Sequence, residues 1–331
     1  MKKFALATIA VAGGPKGAAM VIGERVALLG DLVAAYPDSA IPPGASLLAL
    51  LENWGAAEAA LGHLAGAAEG LKSVTWHDCA AVHFHPPVDL PRQIFCTGAN
   101  YRTHVVHLTV DTNAGPEGLS GDELRLWAEK MMDDRLAHGE PYVFTKPIST
   151  VAGPNDTLVL PANTAKPDWE LELAVVIGKG GYQIGRETAM EHVAGYAIVN
   201  DISARDLIPR TDYKLLGTDW LRSKGQVGFL PFGPYLVPAR FIPDPYDLRI
   251  RLSVEGQLMQ NETTGDMMFD IVRQIEYISR YARLLPGDII CTGSPAGNGT
   301  HYNRYLTDGD LMIGEIDGLG AQQIRCVTAN G

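Results

Sequence analysis

The run Asp168-Trp169-Glu170-Leu171-Glu172-Leu173-Ala174-Val175-Val176-Ile177 decides the fold class. Its second half is continuously apolar and rich in β-branched residues, which suits a strand covered on both faces. Its first half places carboxylates at positions i and i+2, and alternate residues of a strand share a face. Two like charges at the head of a buried strand repel each other and lose solvation. The plain reading of Glu-x-Glu is a solvated strand face. The sharper one is that a cation sits between Glu170 and Glu172. Asp201 adds a third carboxylate, after the strand-like run Tyr196-Ala197-Ile198-Val199-Asn200. Three carboxylates from two strand ends make an all-oxygen donor set. One divalent cation (Mg²⁺, Mn²⁺ or Ca²⁺) is expected there rather than zinc, which more often recruits His or Cys.

Further strand-like segments lie at 158–160, 197–200, 235–237, 248–254, 257–259, 289–291, 311–316 and 324–327, separated by Gly and Pro turns. One helix is expected over 269–284. Strands outnumber helices, and few helices fall between strand pairs. The expected architecture is therefore mixed α/β, mainly β and mainly antiparallel, rather than a doubly wound sheet. Residues 1 to about 30 read as short strands, and 31–70 as Ala/Leu-rich helices. The Pro-rich stretch around Pro86-Pro87 and Pro91 marks a boundary between a small N-terminal α+β domain, 1–90, and a catalytic domain, 91–331. Ser120-Gly121-Asp122-Glu123 has a capping-box pattern and opens a helix to about His138, with Gly139 as its stop.

The chain has 331 residues, 46% of them hydrophobic, with 27 Lys+Arg against 38 Asp+Glu and a formal charge of −11. Such a composition is globular. The acidic balance argues against a nucleic-acid partner, which needs Lys and Arg to replace phosphate counterions. No apolar run reaches the length of a membrane span. Lys2-Lys3 followed by apolar residues 4–12 has the layout of a short signal peptide. A first strand turning at Gly13-Gly14-Pro15 is the preferred reading, because the apolar stretch is short. Cys79, Cys96, Cys291 and Cys326 form no Cys-x-x-Cys pair, so reduced thiols and a cytoplasmic location are expected.

Other residues carry candidate chemistry. Lys224 sits among Trp220, Leu221 and Gly225, either as a surface charge or as a cationic partner for a substrate oxygen. His104 and His107 are i, i+3 neighbours on a short helix after Gly98, and a histidine near a metal is a candidate general base. Thr292 and Ser294 place hydroxyls at a strand end, suited to a substrate carboxylate. Gly178-Lys179-Gly180-Gly181 lacks the spacing of a dinucleotide fingerprint.

Several motifs, taken in order, resemble the fumarylacetoacetate hydrolase superfamily over residues 93 to 328. They are Gly98-x-Asn100-Tyr101-x-x-His104, Phe144-x-Lys146-Pro147, Asp168-x-Glu170-x-Glu172, and Asn200-Asp201-x-Ser203-Ala204-Arg205-Asp206. Lys224 with Pro231-x-Gly233-Pro234 follows, then Pro286-Gly287-Asp288-Ile289 and Thr292-Gly293-Ser294-Pro295-x-Gly297. The resemblance implies a β-roll-like catalytic domain with a small N-terminal domain, in a homodimer. It implies Glu170, Glu172 and Asp201 as metal ligands, with His104 and Lys224 as catalytic groups. Tyr101, Lys146, Arg205 and Ser294, joined by Thr292, would meet the substrate. The implied partner is a small-molecule oxo acid. The implied reaction is cation-dependent hydrolysis of a C–C bond in a 1,3-diketo or 2-oxo acid from aromatic or sugar catabolism, through a stabilised enolate. Isomerisation, decarboxylation or hydration of a related 2-oxo acid is the alternative.

The chain departs from the family pattern at three points. His107 stands where many members carry the glutamate of His-x-x-Glu, leaving Glu117 or Glu123 as substitutes from a long segment, 109–140, that would form a lid. Ile208 and Val227 stand where Gln and Asp are common, which implies a less polar pocket and a larger or more apolar substrate.

Overall fold

The apolar run forms strand β11 (Leu171–Ile177), and all of its residues are buried. The structure, a computed structural model, describes residues 2–329 apart from the side chain of Lys214. With elements numbered in chain order, β11 pairs antiparallel with β12 (Val193–Asn200) on one side and β18 (Ile289–Cys291) on the other. Beyond β18 lie β6 (Ile94–Gly98) and β7 (Tyr142–Thr145), and β15 (Val237–Pro238) edges β12. The order of this six-stranded sheet is β15-β12-β11-β18-β6-β7.

A second sheet has the order β17-β16-β19-β20-β9. Its strands are β9 (Leu158–Leu160), β16 (Arg249–Val254), β17 (Gln257–Thr263), β19 (Leu311–Ile316) and β20 (Gly320–Thr328). Buried and half-exposed residues alternate along β16, as they should in a sheet with one face on a core. A third sheet, β4-β3-β2-β1-β5, comprises β1 (Ala5–Ala10), β2 (Gly17–Ile22), β3 (Arg25–Leu28), β4 (His77–Asp78) and β5 (His83–His85). Two short pairs complete the pattern: β8 (Val151–Ala152) with β14 (Leu230–Pro231), and β10 (Pro167–Asp168) with β13 (Ser203–Ala204). Most pairings are antiparallel, and the chain has the mixed α/β, strand-rich architecture that its pattern implies.

The alternation along β11 positions the site. Leu171, Leu173, Val175 and Ile177 enter the core shared with the second sheet. Ala174 and Val176 face the other way, into a core that includes side chains of α1 (Leu29–Ala35), α2 (Leu47–Leu51) and α3 (Trp54–Ala67). Glu172 is in phase with Ala174 and Val176, so it heads that second face. The N-terminal sheet is tied in by the backbones of Leu6 and Leu236, which exchange hydrogen bonds of 2.9 and 2.8 Å.

Some boundaries differ from the pattern in the sequence. Strand β12 starts at Val193, earlier than expected, and runs through Gly195, where a Cβ would lie 2.2 Å from the Val237 carbonyl oxygen. Helix α5 (Gly121–His138) forms after α4 (Arg102–Asp111), but the Ser120 side chain accepts no capping hydrogen bond. Gly139 is extended, not left-handed, and is required for space, since a Cβ would meet the Arg135 carbonyl oxygen at 2.6 Å. The strand expected at 235–237 is Val237–Pro238. Helix α7 (Ile271–Tyr281) is shorter than expected and is capped by the Asp270 side chain, which accepts from the Arg273 amide. Two short helices remain, α6 (Trp220–Lys224) and α8 (Gly299–Tyr302). Among the described residues no helix is long and apolar enough to cross a membrane. All four cysteines are free thiols, and Cys96 lies opposite Cys291 across β6 and β18.

Candidate metal and catalytic site

The end of β11 and the end of β12 bring Glu170, Glu172 and Asp201 together, each at most 6% exposed. One oxygen from each lies within 4.8 Å of the others. Backbone pairing fixes this: the Asp201 amide donates to the Glu170 carbonyl at 2.8 Å, and the Glu170 amide donates to Asn200 Oδ1 at 2.9 Å.

Three cations converge on the carboxylates. Lys224 Nζ, presented by α6, lies 2.6 Å from Glu170 Oε2 and 2.5 Å from Asp201 Oδ2. Lys146 Nζ, just past β7, lies 2.5 Å from Asp201 Oδ1 and also donates to the carbonyls of Phe229 and Ile202. Arg205 spans Asp168 and Glu170 with contacts of 2.8 and 2.6 Å. Asp168 in turn accepts from the amides of Trp169, Gly299 and Thr300. Four buried carboxylates thus face three cations. Glu172 has no cation within 4.0 Å among the described residues; Oε2 accepts from the Gly293 amide at 2.8 Å. Burial, then the charge of Asp201, pushes its carboxyl well above the usual range. Burial also raises Glu170, but Lys224, Arg205 and His104 together hold it well below that range. A site with a surplus carboxylate and only oxygen donors fits a hard divalent cation.

His104 projects from α4 and is 8% exposed. Burial pulls its pKa down to about 4, although the charge of Glu170 opposes this. The ring is neutral at pH 7 and free to accept a proton. Histidine–carboxylate pairs within 4.0 Å are, among the described residues, His83–Asp156 and His301–Asp111. Neither Glu117 nor Glu123, both exposed, partners His104.

The structure places the remaining candidates less directly. Tyr101 is fully buried, its hydroxyl beside Thr292 without a well-formed hydrogen bond. Thr292 donates its hydroxyl to the Leu173 carbonyl at 2.9 Å. Ser294 Oγ accepts from Gln260 Nε2 at 3.1 Å and donates to the Pro295 carbonyl. Lys146 is fully buried on Asp201. Val227 is 77% exposed and lies on the surface rather than in a pocket. The segment expected as a lid is fastened on α4: Ala128 and Met132 of α5 pack with Val106, and Arg102 binds both oxygens of Asp133.

Sequence reasoning left three supports unassigned. Asp168, two residues before Glu170, carries the same face-sharing signal. Asn100 holds the Phe269 backbone through both its amide and carbonyl and reaches the Thr292 carbonyl. Gln260 accepts from the Leu171 amide, and nothing local to it in the sequence signals that.

A family model for the fumarylacetoacetate hydrolase C-terminal domain matches residues 93–327. Over 237 residues the chain is 37% identical to a mitochondrial oxaloacetate tautomerase of Xenopus laevis, covering 71% of this chain and 65% of that protein. Over 187 residues it is 42% identical to a 2,4-didehydro-3-deoxy-L-rhamnonate hydrolase of a Sphingomonas species, covering 56% and 64%. These matches span just under two thirds of each relative. A maleylpyruvate hydrolase from Sphingobium, solved with manganese(II) and pyruvate, superposes with a TM-score of 0.71 at 29% identity, covering 98% of this chain and 100% of that one.

Proposed function

The chain belongs to the fumarylacetoacetate hydrolase family, and we propose that it hydrolyses a C–C bond in a 1,3-diketo or 2-oxo acid at the Glu170–Glu172–Asp201 site. The observation that carries this reading is the surplus carboxylate Glu172 in a buried carboxylate cluster whose Glu170 acts electrostatically on the buried, neutral His104. A divalent cation held by Glu170, Glu172 and Asp201 would supply Lewis acidity to the oxo group next to the substrate carboxylate. The Sphingobium maleylpyruvate hydrolase, solved with manganese(II) and pyruvate, supports pairing a divalent cation with a 2-oxo acid. His104 takes a proton from water, and the hydroxyl adds to the distal carbonyl. Lys224 stays charged, because Asp201 and Glu170 raise it against the effect of burial, and its ammonium stabilises the developing oxyanion. The C–C bond breaks with its electron pair on the carbon next to the oxo group. That carbon takes the proton back, leaving a carboxylic acid and a 2-oxo acid. Arg205, anchored by Asp168, fixes the rotamer of Glu170 throughout.

One observation favours a second reading. Among the described residues His104 has no carboxylate within 4.0 Å to orient a water, so a proton transfer without water attack, as in keto–enol tautomerisation, needs less from this site. The oxaloacetate tautomerase relative points the same way. Mass-resolved product analysis separates the two. Acylpyruvates and oxaloacetate are incubated with the Mn²⁺-loaded protein, with EDTA as control. Two fragments that vanish on chelation support hydrolysis; a product of unchanged mass supports tautomerisation. Turnover that survives complete removal of metal overturns both.

A further inference from the structure

We propose that Asp111, His301 and His107 form a proton outlet for the buried base His104. The proposal deepens the functional reading above and rests on it. Spacings of three and four residues put His104, His107 and Asp111 on one face of α4. Helix α8 lies against that face and brings His301 Nδ1 to 2.6 Å from Asp111 Oδ2. An ionised carboxylate only accepts, so Nδ1 carries the proton and Nε2 is left as the acceptor. The His107 ring stacks on His301 with centroids 5.1 Å apart and planes 18° apart.

A cavity of about 260 Å³ is lined by both rings with Asn261, Glu262 and Tyr302. At ~30 Å³ per molecule it has room for roughly eight waters. Exposure rises along the path: His104 is buried, His107 is half-buried, and the side chains of Asp111 and His301 are 27% and 35% exposed. The other charged or titratable groups facing this cluster are Arg125 from α5, Glu262 from β17 and Asp266 just after it, with Tyr302 on α8. Burial, His301 and Arg125 keep the His107 ring neutral, as a carrier needs. The same α8 presents the Gly299 amide to Asp168 at 2.6 Å, so the dyad and the Arg205–Glu170 contact share one support.

The protons balance. His104 takes one from water and returns it to the leaving carbon; the new carboxylic acid then ionises, and His104 takes up that excess proton. His104 hands it to His107, one turn along α4, and water in the cavity that His107 lines carries it to His301 Nε2, while Nδ1 stays pinned by Asp111 until solvent collects it.

The test is Asp111→Asn in the full, Mn²⁺-loaded chain, assayed on acylpyruvates and oxaloacetate in dilute and in concentrated imidazole buffer. Expected are a loss in kcat of about tenfold in dilute buffer, an unchanged KM, and recovery in imidazole. An equal loss at every buffer concentration, or no loss, overturns the outlet while the functional reading stands. Nitrogen-15 NMR of the wild-type imidazoles is expected to show His301 protonated at Nδ1, a signature that Asp111→Asn removes. A wild-type Nε2–H tautomer overturns the dyad. Failure of the wild type on every 2-oxo acid, with that signature intact, overturns the functional reading and the outlet with it.

Discussion

Replacing Lys224 with Met keeps the length and apolar stem of the side chain and removes one charge. In the wild type that charge touches two buried carboxylates, at 2.6 and 2.5 Å, with all three side chains at most 8% exposed. Removing one partner of a buried ion pair typically costs about 3–5 kcal/mol, because the other charge stays desolvated and uncompensated. Against a whole-protein stability of about 5–15 kcal/mol that is a large fraction. In EDTA the Lys224→Met protein should melt about 4–7 °C below the wild type. A divalent cation at ~100 times its Kd stabilises a folded protein by about 2.7 kcal/mol. The variant should gain more than this, since the ammonium no longer repels the cation from Glu170 and Asp201. The stability gap should therefore narrow on adding Mn²⁺. Calorimetry of both proteins, with EDTA and with Mn²⁺, reads the effect. Melting within 2 °C of the wild type in EDTA would refute the view that Lys224 is the internal counterion of the site.

Two further outcomes follow from single residues. His104 must be neutral to accept a proton, and burial sets its pKa near 4, so kcat/KM should be flat above about pH 5 and fall below 4. The same shift makes stability complete above about pH 6.5 and progressively lost toward pH 4, where the unfolded chain binds a proton that the folded one refuses. An acid limb at 6.5 would remove His104 as the base. Gly293 has φ +101°, and a Cβ there would lie 2.9 Å from both the Thr97 carbonyl oxygen and Asn100 Cβ. Gly293→Ala should cost about 1–3 kcal/mol in strain and shift the amide that holds Glu172, weakening Mn²⁺ binding. Denaturant titration and Mn²⁺ titration check the two effects, and a variant matching the wild type in both would contradict them.

The sequence shows most plainly what depends on local periodicity. The run through Ile177 reads as a doubly covered strand because both of its faces are apolar, and the spacing of Glu170 and Glu172 puts them on one face. Residues whose role is set by partners far along the chain are hidden. Gln260 meets Leu171 across 89 residues, and Asp111 meets His301 across 190. The spatial role of Gly139 and Gly195 is hidden for a related reason: at each, another backbone atom comes close, and that atom is invisible in a one-dimensional pattern. Lys146, Thr292 and Tyr101 fall in motifs near the site, but the motifs do not say that their side chains are turned into the protein.

The most direct test of the carboxylate site is a Mn²⁺ titration followed by electron paramagnetic resonance, on the wild type, Glu172→Gln and Asp201→Asn. The account expects one tightly bound Mn²⁺ per wild-type chain, and affinity lower by about tenfold or more in each variant with an unchanged circular-dichroism spectrum. Wild-type affinity in both variants, or no binding by the wild type, would contradict it.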